Sequence, residues 1–472
     1  MLRTLLLMTL IAAASTWSAC SDDTSSGVGS TDAGADTGSP GADGGEDAGV
    51  ADTAAATDTA ATTDTAAPDT DDPQDTNTPM DTGAADTGAP QDTGGPMDTG
   101  APMDGGDDGG TEVCAFSAQG PADRDRVVLI GQSFSDTVGE SGTEVRSMTL
   151  TAEGELLDNG VRVDIGVPPH RLEMTPSGEI ALVLSDEGVL VSLQLKDASD
   201  VGVVDALELP SAGYGDLIMA DGGTRAIVVG NNSTADGGVN TVRVACDGTL
   251  TLDEAAFFPL RLAQSLAPIP GTDRALLLGG QAVFEPVDDN DVRLVEWTGS
   301  GWIEVAAYDI FGDFVNTDRI AFSGATNTLL IANSSPFSAE GNQMSVLQLE
   351  GDALTETERL MGINDPYETA FSPDGQIGLV TLFQPGRLIA YAQRDQGLVE
   401  VGSASGIGLA AQMAFVRRGS LAGTVLITST DPSGAPNIAM LQIAPSGEVT
   451  DLGQTDFGDA SSNIPDGITI TP

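Results

Sequence analysis

"NDPYETAFSPDGQIGLV", residues 364–380, and "NIPDGITITP", residues 463–472, together decide the fold. In the first, Pro366 opens a short alternating strand, Ser372-Pro373-Asp374-Gly375 supplies a tight turn, and an apolar strand follows from Ile377. The second repeats that opening, with a proline, a polar pair, an alternating run, and Thr471-Pro472 where the first has Ser372-Pro373. It then stops. A lone first strand needs a sheet to join, and the architecture follows from where that sheet is.

The same strand, turn and strand recur in "RLEMTPSGEIALVL" from Arg171, "DLIMADGGTRAIVV" from Asp216, "SLAPIPGTDRALLL" from Ser265, "RIAFSGATNTLLIA" from Arg319 and, more loosely, "QMAFVRRGSLAGTVLI" from Gln412. Each is followed by two further strands, as in "RLIAYAQR" and "LVEVGSA". Four strands in a period of roughly 45 residues is the blade of a β-propeller. The anchors account for six blades. The seventh is assembled from both ends: "DRVVLIGQ", "EVRSMTL" and "GVRVDIG" lack an innermost strand, and "DGITITP" is an innermost strand lacking the other three. Joining them removes two exposed sheet edges, which otherwise invite intermolecular pairing. The expected fold is all-β, a seven-bladed propeller over residues 114–472 closed by its two ends.

Ahead of it stand two segments of different character. Residues 1–19 carry one base, Arg3, then an apolar run from Leu5 to Ala14, too short to span a bilayer and fitting the core of a signal peptide. "SAC" before "SDDTSSG" resembles a bacterial lipobox, with Trp17 in place of the usual aliphatic residue, which implies lipidation of Cys20. Cleavage after Ala14, giving a secreted protein, is the alternative. Residues 20–113 are built from Asp, Thr, Ala, Gly and Pro; from Ser21 to Val113 there are 22 acids and no Lys, Arg or aromatic residue. Such a stretch buries too little apolar surface to offset chain entropy, so it is expected to be a disordered spacer with an r.m.s. span of about 55 Å. Its aspartates lack the D-x-[DN]-x-[DN]-G spacing of a calcium loop.

Residues 114–472 carry 49 acids against 17 bases, with Lys196 the only lysine. Nucleic acid is disfavoured as a partner, since few cations are present to displace its counterions. Cys114 and Cys246 remain once Cys20 is set aside, and outside the cytoplasm they either pair, stapling the tether to the folded body, or stay separate thiols.

"PYETAFSPDG" and "PHRLEMTPSG", with the hydrophobic strands after them, resemble the bacterial YVTN and lactonase-like seven-bladed propellers over residues 123–472. Residues opening each innermost strand should ring one mouth of the central channel: His170 and Arg171, Gly215 and Asp216, Gln264 and Ser265, Asp318 and Arg319, Tyr367 and Glu368, Ala411 and Gln412, Asp466 and Gly467. Of these, His170, Arg171, Asp216, Asp318, Arg319, Tyr367 and Glu368 are the candidate ligand-binding set. The resemblance implies a His, Arg and Glu constellation for lactonase-like members, carried here by His170, Arg171, Arg319 and Glu368. His170 is the only histidine, which excludes zinc sites built on several imidazoles, and no G-x-S-x-G elbow presents a serine. No residue is assigned a catalytic role on these grounds. "FEPVDDNDV", residues 284–292, forms a longer loop on the same face, where Asp288, Asp289 and Asp291 offer oxygen ligands to calcium or form a solvated acidic loop.

The sequence thus leads to a lipoprotein of the bacterial cell envelope, at the outer membrane or cell surface, whose tethered propeller binds a protein, glycan or small molecule. A lactonase-like hydrolase and a purely structural envelope protein are the competing readings. Replacing Cys20 by alanine should release the protein from membranes; detergent partitioning that is unchanged in the variant would contradict lipidation.

Overall fold

The computed structural model describes Phe116 and residues 121–472, apart from residues 135–141, 186, 211–212, 214, 232–236, 280, 283–284, 287–289, 312–316, 335–341, 395–396, 430–436 and 457–463. The signal peptide, the acidic spacer, Cys20, Cys114, Asp288 and Asp289 lie outside the described residues. Among the described residues no helix is long and apolar enough to cross a membrane.

The strands form seven four-position blades. Blade 1 joins Arg126–Phe134, Glu144–Leu150 and Leu156–Asp164 to Ile464–Ile470, which occupies the innermost place. Blades 2 to 7 start from the inner strands Pro169–Met174, Gly215–Ala220, Ser265–Pro268, Thr317–Ser323, Pro366–Phe371 and Ala410–Phe415. These inner strands contact one another in a closed circle, and Ile464–Ile470 touches both Pro169–Met174 and Ala410–Phe415. Two departures from the simple repeat occur. The fourth strand of blade 3 is broken into Leu250–Leu252 and Phe258–Pro259 by a single 3-10 turn, and blade 4 carries an added hairpin, Gln281–Ala282 with Glu285–Pro286.

Position in the blade follows composition. Second strands such as Ile180–Ser185, Arg225–Gly230, Ile377–Leu382 and Thr424–Ser429 are buried along their whole length, because both faces meet a neighbouring blade. The outer strand Ala353–Met361 alternates strictly between exposed and half-buried, as a strand with one solvated face should. The Ser-Pro-Asp-Gly and Thr-Pro-Ser-Gly turns between first and second strands end on Gly375 and Gly178, with φ of 71° and 78°, a conformation that costs glycine least.

Seven apolar clusters fill the seven gaps between blades. They are built mainly of Leu, Val, Ile and Ala, in keeping with a chain that is only 4% aromatic. The Trp297–Trp302 pair packs between blades 3 and 4: its ring centroids are 5.4 Å apart, the Arg225 guanidinium lies 4.1 Å from the Trp297 centroid, and the Trp302 indole donates to Thr241. Each outer edge is also interrupted. The pairing of third and fourth strands shifts register in blades 1, 2, 4, 5, 6 and 7, while in blade 3 the fourth strand is broken. Such bulges twist an edge away from intermolecular pairing.

Closure is a backbone ladder: Val128, Leu129 and Ile130 pair with Ile470, Thr469 and Ile468, and Val127 and Thr471 extend it with an N–H···O bond of 2.9 Å. Arg124 and Arg418 both donate to the Pro472 oxygen, at 3.3 and 3.2 Å, and buried Arg126 ties the carbonyls of Ala122 and Arg418 together. Removing residues 463–472 therefore strips blade 1 of its inner strand and takes Ile468 and Ile470 out of the blade 7–blade 1 cluster. The truncated protein should melt well below the full chain or lose its cooperative transition, measured by calorimetry; an unchanged transition would refute the closure.

Candidate functional site

Alternation along Pro169–Met174 sends Leu172 and Met174 into the cluster between blades 1 and 2, which leaves Arg171 and Glu173 for the channel. The corresponding residues of the other inner strands meet Arg171 there. Its Nε donates to Asp216 at 3.0 Å, and Nη1 and Nη2 reach across to Glu368 in blade 6 at 3.1 and 2.9 Å. Arg319 donates to the same carboxylate at 3.3 Å and to the Gln264 carbonyl at 3.4 Å. Asp216 also accepts from the Ser265 hydroxyl at 2.6 Å and from the Leu266 N–H at 3.3 Å.

Blades 1 and 7 join through His170 of blade 2. His170 Nδ1 lies 2.8 Å from Asp466 Oδ2, both residues being buried, and Gln412 donates to the His170 carbonyl at 2.8 Å. Gly467 makes this approach feasible: a Cβ there would fall 2.4 Å from Leu172 Cδ1 and 2.6 Å from the His170 oxygen. Thr381 and Thr428, from second strands, hold the inner-strand bulges by accepting from the Glu368 and Gln412 N–H groups. The outcome is one polar layer spanning the channel from all seven blades.

The charges in this layer offset one another. Burial alone raises the Asp216 carboxyl, but Arg171, Arg319 and the donors Ser265 and Leu266 outweigh it and hold Asp216 below the usual carboxylate range. Burial alone would lower the Arg171 guanidinium; Glu368 and Asp216 reverse that and raise it. Glu173, one step deeper, is treated differently. Burial pushes it up to about 7, against weaker lowering by Arg417 and Arg171 and a further push from Asp216. It keeps some exposed area, but that area opens into the channel, and the surrounding protein governs its charge.

Five of the seven sequence-derived residues are thus brought together in this layer. His170, Arg171, Asp216, Arg319 and Glu368 all belong to the layer. Tyr367 is half-buried and stacks at a tilt on Phe383, with centroids 5.4 Å apart. Asp318 lies in the inner strand Thr317–Ser323. Asp291 is fully buried and its Oδ2 accepts the N–H groups of Ile310 and Phe311 at 2.8 and 2.7 Å, so this carboxylate braces the chain leading into blade 5. Among the described residues no group of three His, Cys, Asp or Glu is placed to hold a metal ion. Glu173 was missing from the sequence-derived set, although its position two residues beyond Arg171 on an alternating strand is the signal that would have found it.

No family model and no curated protein sequence matches the chain. Solved structures do. The periplasmic gluconolactonase of Pseudomonas aeruginosa superposes with a TM-score of 0.56 at 14% identity, over 74% of this chain and 99% of that one. Proteins assigned as 6-phosphogluconolactonases from Bacteroides uniformis and Bacteroides fragilis give TM-scores of 0.57 and 0.53 at 13% identity, over 74% and 75% of this chain and 99% and 100% of theirs. The likeness is one of fold. It spans nearly the whole of each neighbour and about three quarters of this chain.

Glu368 holds two arginines, so its loss should be costly. Glu368→Ala leaves Arg171 and Arg319 short of a counter-charge in a buried layer, and denaturant titration should show a stability loss of about 3–5 kcal/mol. A loss below about 1 kcal/mol would mean the layer is solvated and loosely held.

Proposed function

We propose that the chain is a lipid-tethered protein of the bacterial cell envelope whose propeller serves as a binding module at the channel mouth. One observation carries this reading: the two carboxylates that could serve a hydrolase as base at that mouth, Glu368 and Asp216, are already engaged. Both Glu368 oxygens accept from arginines, and Asp216 accepts from Arg171 and Ser265. A general base needs a free lone pair within reach of the proton it removes. Binding asks only for a concave floor with directional groups, and the partly exposed Tyr367–Phe383 pair above the polar layer adds an aromatic surface. The acidic surface favours neutral or cationic partners over nucleic acid.

The tether fits the same reading. Cys246 is disulfide-bonded. Phe116 is buried in the blade 2–blade 3 cluster with Val244 and Leu250, which flank Cys246 in sequence. We infer that Cys114 is the partner of Cys246, a bridge that would anchor the end of the spacer to blade 3.

The second reading, a lactonase-like hydrolase, is favoured by the buried His170–Asp466 pair, since a carboxylate on one ring nitrogen is how an imidazole base is oriented. Screening the purified protein against sugar lactones and simple esters separates the two. Binding is supported by absence of turnover together with a ligand-induced rise in melting temperature that Tyr367→Ala abolishes. Hydrolysis abolished by His170→Ala would replace it with the enzymatic reading.

A further inference from the structure

Below the polar layer the channel lining changes. Two residues further along each inner strand, one side chain stands opposite an aliphatic residue of its second strand: Ile218 opposite Ile227, Ala267 opposite Leu276, Ala321 opposite Leu330, Ala370 opposite Leu379, Ala414 opposite Leu426 and Thr469 opposite Leu129. In blade 2 the same place, opposite Leu182, holds Glu173. The seven positions are equivalent by register, and six of them are small or apolar. Ile218, Ala321, Ala370 and Glu173 remain partly exposed in mid-strand while the strand behind each is buried. Ala267 and Ala414 are instead buried in the clusters between blades 4 and 5 and between blades 7 and 1, and Ile218 also packs on the blade 3–blade 4 cluster, which leaves Glu173, Ala321, Ala370 and part of Ile218 toward the channel.

Glu173 has no counter-charge of its own. Arg171 and Arg319 are engaged with Asp216 and Glu368, and among the described residues the Glu173 carboxyl makes no hydrogen bond or close ion pair. Arg417 acts on it only at a distance, from an exposed place beyond the end of the blade 7 inner strand. Every inner strand ends its sheet, so its channel edge presents backbone carbonyls that no neighbouring strand uses. One carboxylate with carbonyl acceptors and a wall of methyl groups suits a cation that has N–H donors and an apolar body. Calcium would call for a fuller set of oxygen ligands, with more than one carboxylate.

We propose that this second layer of the channel binds a small organic cation, a primary ammonium on a short alkyl chain. Glu173 takes the charge, inner-strand carbonyls accept the remaining N–H groups, and Ile218, Ala321 and Ala370 line the chain. The site is separate from the mouth and stands whether the mouth binds or hydrolyses. The raised Glu173 carboxyl accords with a group that lacks the partner such a ligand would supply.

The test is calorimetric titration of the purified full chain with n-butylammonium chloride at pH 8.5 and fixed ionic strength, with n-butanol as the neutral isostere. Butylammonium should bind and butanol should not. Glu173→Gln should weaken binding at least about tenfold, the loss expected for removing a charge-assisted contact. Arg417→Ala, which removes a competing cation, should tighten it. Lowering the pH through 7 should weaken it as Glu173 takes up a proton. No binding by the wild type, or equal binding by wild type and Glu173→Gln as diffuse attraction to the acidic surface would give, overturns the proposal. Should Glu173→Gln fail to fold, unchanged or weaker binding by Arg417→Ala overturns it independently.

Discussion

A propeller is a stack of neighbouring sheets bent into a circle, and this one is held in that circle by a single strand from the far end of the chain. Ile464–Ile470 supplies blade 1 with its inner strand, and the same strand contacts the inner strands of blades 2 and 7. From blade 2 to blade 7 each sheet packs on the next one in the sequence, so only the seam between blades 7 and 1 brings the two ends of the chain together. The closing strand supplies the backbone ladder of that seam, across more than 330 residues, as in the Val128–Ile470 pair. Arg124, Arg126 and Arg418 reinforce it where the ladder stops, and Gly467 lets the strand approach His170 closely enough for Asp466 to meet the imidazole. Without that strand the polar layer would lose one of its seven contributors.

The layer also explains why the channel needs charge at its centre. Inner strands are paired on one side only, and their side chains at the mouth meet one another across the channel. Arg171 spans it by engaging Asp216 on the adjacent blade and Glu368 across the channel. Buried ion pairs contribute little net stability over an apolar filling, because desolvation consumes most of their attraction. Their geometric demand is stricter: a bidentate guanidinium–carboxylate pair fixes the relative placement of two blades.

Charge is distributed unevenly between inside and outside. Arg126, Arg146, Arg225, Arg293 and Arg319 are buried, while most carboxylates lie on the surface. The propeller surface is therefore more acidic than the balance of 49 acids to 17 bases over residues 114–472 implies. Such a surface resists self-association and repels polyanions, and screening by salt should matter to any charged ligand that approaches it.

The all-β class, the seven blades and the closure by "DGITITP" were legible in the sequence, because turn chemistry and strand alternation are local and repeat with the blade. The ring of residues opening the inner strands was legible for the same reason: one position per repeat fixes one height in the channel. Which of those side chains meet was decided only by the tertiary structure. Arg171 and Glu368 are separated by 197 residues, and no local pattern states that blades 2 and 6 face each other across a sevenfold ring. Nor does a pattern distinguish Asp291, spent on the amides of Ile310 and Phe311, from an exposed aspartate awaiting a cation. The perturbed carboxyl of Glu173 likewise depends on what surrounds it in space: burial, the nearby charge of Asp216, and an Arg171 already engaged elsewhere.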